Sequence, residues 1–238
     1  MYRWLGFVPL VLLCARPAMG QDAGMQHDQM GDREMQGMVM TGPHITLTPM
    51  REMRPGDQAR ADSIVRIARA WAEKYRDVAV AEADGFHRFA PQVKRQRIYH
   101  YTNRAAALKA RFRFDPAAPT SLLYRDGPGG KLELIGVMYT APATLSPEEL
   151  DQRIPLSIAR WHQHTNICLP PRDEDPVAAT TGRHPEFGPR GSIATRDACE
   201  AAGGRWKDRV LNWMVHVNVF ANDPSDIWKD EHGGVRHH

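Results

Sequence analysis

Histidines are the residues best suited to do chemistry in this chain. His162-Gln163-His164 sets two imidazoles two positions apart, and His216 stands in the alternating run Met214-Val215-His216-Val217-Asn218-Val219-Phe220. If both segments are β-strands, the side-chain period of two puts His162, His164 and Asn166 on one face. In the second run Met214, His216, Asn218 and Phe220 share a face, leaving Val215, Val217 and Val219 for a core. Placing imidazoles opposite a core is costly unless they meet solvent, a partner or an ion.

Three imidazole nitrogens from two neighbouring strands can hold a transition metal and leave one position open. The expected ligands are His162, His164 and His216, with His100, between Tyr99 and Tyr101, as a fourth. Asn166 and Asn218 are expected to fix the ring tautomers by hydrogen bonds from behind the ligands. The competing structural expectation is a polar sheet face whose rings bond backbone or water.

Methionine supplies the second chemical signal. Met25, Met30, Met35, Met38, Met40, Met50 and Met53 crowd one polar segment, whereas the much longer stretch after position 53 holds only Met138 and Met214. Thioether sulfur is a soft ligand that selects Cu(I), and His27 and His44 in the same segment suit Cu(II). Met25, His27, Met30, Met35, Met38 and Met40 are therefore expected to form a capture arm for copper. A linker with adaptable apolar contacts would carry the same composition without binding a metal.

The elements that must position these groups follow from pattern. Met1-Tyr2-Arg3, the apolar run Trp4–Cys14 and the small residues Ala18 and Gly20 read as a signal peptide over residues 1–20. The apolar run is too short to span a bilayer, so no transmembrane segment is expected after its removal. The mature chain is then exported, to a periplasm or outside the cell, and keeps two cysteines, Cys168 and Cys199. In an oxidising compartment an even pair without CxxC spacing is expected to form a disulfide.

Residues 21–55 lack sustained periodicity and read as a flexible Met-rich tail. Ile64, Ile67, Ala68, Trp71, Tyr75 and Val78 fall on one face of a long helix expected over residues 57–84, stopped by Gly85. Asn103 should cap a second helix, Ser146-Pro147-Glu148-Glu149 forms a capping box, and Thr195 should cap a helix that carries Cys199. Strands are expected over 120–124, 132–139, 158–167 and 212–220, the first two joined by the turn Asp126-Gly127-Pro128-Gly129-Gly130. The expected fold is thus α+β: a single globular domain over 56–232, with a small antiparallel sheet packed by a long N-terminal helix. One disulfide pins a long loop, and residues 233–238 form a C-terminal tail.

Composition narrows the function. The 238 residues carry 31 Lys and Arg against 28 Asp and Glu, a net charge of only +3, so nucleic acid is not an expected partner. Lys94-Arg95-Gln96-Arg97 and the later Arg104, Lys109, Arg111 and Arg113 read as a solvated face. HExxH, GxSxG, GxxxxGK[ST] and CxxCH are absent, which removes the usual local signatures of zinc proteases, serine hydrolases, P-loop proteins and c-type haem. The leading expectation is an exported metal-binding protein that handles copper through the tri-His site and the Met/His tail. The alternatives are an enzyme using zinc or another ion at the same histidines, and a metal-free exported module that contacts a protein partner.

Overall fold

The alternation around His216 organises the sheet. Val215, Val217 and Val219 are buried in the main core, while Met214 packs on the opposite face with Leu123 and Met138. The computed structural model describes residues 43–229, with strands β1 (Ile45–Leu47), β2 (His87–Arg88), β3 (Tyr99–Thr102), β4 (Ser121–Asp126), β5 (Leu132–Ala141), β6 (His162–Leu169) and β7 (Arg205–Val217). They form one sheet of seven strands in the order β1-β6-β7-β5-β4-β3-β2, with antiparallel neighbours throughout. The sheet is larger than the expected one of about four strands, because short segments add to both edges. One of these, β1, lies inside the segment expected to be tail and pairs Ile45 with His164 and Leu47 with His162.

The helices are α1 (Asp57–Ala72), α2 (Val78–Ala83), α3 (Arg104–Ala110), α4 (Pro147–Arg153), α5 (Pro176–Thr180) and α6 (Arg196–Ala201). The expected long helix is broken: a 3-10 turn at Glu73–Arg76 follows α1, and Asp77 leaves the helical region and accepts from the Ala79 N–H to start α2. The break frees the Tyr75 carbonyl, which accepts a hydrogen bond of 2.7 Å from the buried Tyr124 hydroxyl. It also lets Trp71, Tyr75 and Phe86 pack edge-on or tilted, with ring centroids 4.8 to 6.0 Å apart. Other local signals act as expected. Asn103 caps α3, Ser146 and Glu149 form the reciprocal capping box of α4, and Thr195 caps α6.

The main core lies between the helices and one sheet face. Ile64, Val65, Ala68 and Ala72 of α1 meet Leu122, Tyr124, Leu134, Val137, Tyr139, Val215 and Val217. Fully burying each larger aliphatic side chain is worth about 1.5–3 kcal/mol, so this layer is the principal source of stability. Arg51 ties the chain ahead of α1 to this layer by binding Asp57 at the start of α1 and Asp151 of α4. The Cys168–Cys199 disulfide joins β6 to α6 across 31 residues. Gly204 lies against the bridge, and a Cβ there would collide with both sulfurs.

Two irregularities bend the sheet. Between β4 and β5 the register moves from Leu123↔Gly136 to Tyr124↔Leu134, leaving Ile135 as an extra residue. Between β6 and β7 it moves from His162↔Met214 to His164↔Val210, so residues 211–213 face Gln163 alone, and Leu211 adopts φ 64°. Bulges of this kind bend the strand and increase its twist. At the first one, a Cβ on Gly136 would run into the carbonyl oxygen of Val217, so the absent side chain is what admits the end of β7.

Candidate functional site

The face turned away from the main core gathers imidazoles from three strands. His162 sits opposite Met214 on β7, Met138 of β5 sits opposite His216, and His100 of β3 sits opposite Leu123 of β4. His162 and His216 are 1% and 5% exposed, and their ring centroids are 5.1 Å apart. His164 and His100 are half-buried and flank this pair. The His164 ring lies 5.9 Å from that of His162, and the His100 ring 5.2 Å from that of His216.

Each bulge brings one pair of rings together. Had the β6–β7 register continued past His164 unbroken, His162 would face Asn212, four residues short of His216. The extra residues at 211–213 shift the pairing by two. That preserves which face each side chain takes and brings His216 within one diagonal step of His162. His100 travels further, since β4 and β5 lie between β3 and β7. In a flat sheet three strand spacings are about 14 Å, so the meeting of these rings requires the sheet to curl around them. The bulge at Ile135 and the missing side chain of Gly136 permit that curl.

The nitrogen geometry is specific. His100 Nε2 lies 3.3 Å from His216 Nε2. Two nitrogens bound to one tetrahedral ion at about 2.0 Å are also separated by about 3.3 Å. The same distance suits a weak hydrogen bond in which one ring donates and the other accepts. As the side chains stand, no group of three or more His, Cys, Asp or Glu among the described residues is arranged to hold a metal ion.

The side-chain amides of the two asparagines reach backbone carbonyls. Asn166 Nδ2 donates to the Pro43 carbonyl at 3.0 Å, and Asn218 Nδ2 donates to the carbonyls of Asp226 and Lys229 at 2.9 and 3.2 Å. These amides hold neighbouring loops. Asn166 has φ 55°, so the strand alternation that placed its side chain with those of His162 and His164 is interrupted there.

His44, in the segment read as a flexible tail and suited there to Cu(II), is held in place by two hydrogen-bond contacts. It is 2% exposed, with Nδ1 lying 2.8 Å from the Asn166 carbonyl oxygen and Nε2 2.7 Å from that of Gly191. Those contacts fasten the chain entering β1 to both β6 and the long loop. An isolated His between Pro43 and a three-residue strand carries no periodic signal from which a packing role can be read. Met25, His27, Met30, Met35, Met38 and Met40 lie outside the described residues, while Met50 and Met53 are exposed at the surface.

Met138 and Met214 share the face of the imidazoles as cross-strand partners of His216 and His162, a placement that histidine spacing does not reveal. They are 6% and 5% exposed and pack with Leu123 beside the imidazoles. The signal was present in the alternation that sets Met214 and His216 on one face. Among the described residues no helix is long and apolar enough to cross a membrane. Comparison with protein-family models, curated proteins and solved structures finds no match to this chain, so its chemistry is argued from its own residues.

Proposed function

We propose that this is an exported copper-binding protein whose folded site is the imidazole cluster of His100, His162, His164 and His216. The observation that carries this reading is the approach of His100 Nε2 to 3.3 Å from His216 Nε2, with the His162 ring 5.1 Å from that of His216. Strands far apart in the sheet are bent to bring these rings together on a face away from the core. Imidazole suits copper and zinc alike, and the Met-rich segment over 21–55 tips the choice toward copper as a capture arm. Export is part of the proposal, supported by the N-terminal pattern and compatible with the disulfide.

The test is thermal unfolding of the full chain with and without stoichiometric copper or zinc. A ligand held by the native state alone must raise the midpoint, through a stabilisation that grows with the logarithm of its concentration over Kd. The expected result is a rise with copper that disappears in His162→Ala/His216→Ala. A shift that survives in that variant would move the binding elsewhere in the chain.

A metal-free reading has its own support. The His100–His216 distance is also that of a ring-to-ring hydrogen bond, and no three donor side chains converge as they stand. On that reading the face contacts a protein partner, and neither metal changes the midpoint.

A further inference from the structure

The two methionines beside the histidines suggest which oxidation state of copper the site holds. We propose that Met138 and Met214 are thioether ligands of the imidazole cluster and make it a Cu(I) site. This rests on the cluster binding metal at all, as proposed above.

Placement carries the argument. Met138 is the cross-strand partner of His216 on β5 and β7, and Met214 is the cross-strand partner of His162 on β6 and β7. Directly opposed residues of an antiparallel pair share a face, with Cβ atoms about 4.5–5.5 Å apart. Both methionines turn away from the main core, where their neighbours Val137, Tyr139, Val215 and Val217 are buried. Each central histidine thus has a thioether side chain beside it, and both sulfur-bearing side chains are nearly inaccessible to water.

Composition makes the arrangement selective. Beyond position 53 the chain has only these two methionines, and both fall on the imidazole face. Elsewhere the sheet is filled with Val, Leu, Tyr and Ile, which pack a strand with less loss of freedom. A mixed thioether and imidazole set in a dry setting favours a soft monovalent ion of low coordination number. Hard cations prefer carboxylate and carbonyl oxygen to thioether sulfur and imidazole nitrogen. Zinc would be held by the imidazoles alone and would be indifferent to the sulfurs.

The test uses the full chain with Met25, Met30, Met35, Met38, Met40, Met50 and Met53 changed to Leu, so that the tail adds no thioether background. Cu(I) affinity is measured anaerobically against a bicinchoninate competitor, and Zn(II) affinity is measured in parallel. In Met138→Leu/Met214→Leu, which conserves volume and hydrophobicity, Cu(I) affinity is expected to fall at least tenfold while Zn(II) affinity stays within twofold. Copper-edge X-ray absorption of the same chain with both methionines in place is expected to show sulfur scattering. That measurement decides the matter even where the double variant folds poorly. Cu(I) binding that is equally tight in the Leu variant and shows no sulfur in the copper shell overturns the thioether assignment and leaves the histidine site standing. Failure of the chain to bind either ion overturns both.

Discussion

His100 and His216 lie on strands separated in the sheet by two others, yet their Nε2 atoms are 3.3 Å apart. The curl that closes this gap passes through Gly136, where the end of β7 crosses so close to β5 that a Cβ would meet the Val217 carbonyl oxygen. Site and sheet curvature are therefore one structural problem, and the bulge at Ile135 with Gly136 solves it.

Gly136→Ala tests that coupling. The added methyl must push β7 away from β5, an overpacking cost of about 1–3 kcal/mol. The expected outcome is a lower urea midpoint together with weaker metal binding, since the imidazoles on β3 and β7 separate. An unchanged midpoint with full metal affinity would show that the sheet accommodates the methyl elsewhere.

Stability in acid should depend on Arg51. The Asp57 carboxyl is held well below the usual aspartate range, first by the hydrogen bond from Arg51, then by those from the Ser157 hydroxyl and the Arg54 N–H. Burial works to raise the Asp151 carboxyl, but hydrogen bonds from Arg51 and the Leu156 N–H leave it lowered on balance. Depressed carboxylates contribute stability that is complete above the unfolded value of about 3.9 and is lost as pH falls through the folded value. Urea midpoints are expected to stay level from pH 7 to 5 with respect to this network and to fall below pH 4. Asp57→Asn should be less stable at pH 7 and lose less on acidification, and parallel profiles for the two proteins would remove Asp57 from the acid transition.

The disulfide is expected to stabilise the fold by about 3–4 kcal/mol, the chain-entropy value for a loop of this length. Cys168→Ala/Cys199→Ala should lower the denaturation midpoint accordingly and make the 170–191 loop more sensitive to protease. The bridge packs with Phe187 and Ile193 in a small core of its own, distinct from the main one. Metal binding is therefore expected to survive in this variant at temperatures where it remains folded.

Part of this organisation was legible in the sequence and part was not, for identifiable reasons. The alternation from Met214 to Val217 assigns both faces of the end of β7, but the strand stops there and Phe220, expected on the histidine face, packs against the main core; the Asn103, Ser146 and Thr195 caps mark helix starts because capping is local. The meeting of His162 with His216 depends on the two-residue shift at 211–213. Leu211 gives no sign of it, being a residue that rarely adopts φ 64°. His100 was identifiable only as a candidate, because its approach depends on a curl set by Ile135 and Gly136 on another strand. The break after α1 was hidden by apolar spacing that runs on through Tyr75 and Val78; the clue was Asp77, a good N-cap residue in mid-helix. Three-residue β1 is too short for any periodicity, so pattern alone leaves His44 in the tail.

The most direct measurement is the metal content of the purified, untagged full chain by elemental mass spectrometry, after reconstitution with copper and with zinc and removal of loosely held ions. The tail methionines are changed to Leu so that the folded site is counted alone. About one copper per chain, abolished by His100→Ala/His162→Ala/His216→Ala in a protein that keeps its disulfide and fold, is the expected result. A chain that retains no metal from either preparation, or retains it undiminished in the triple variant, would contradict the central claim.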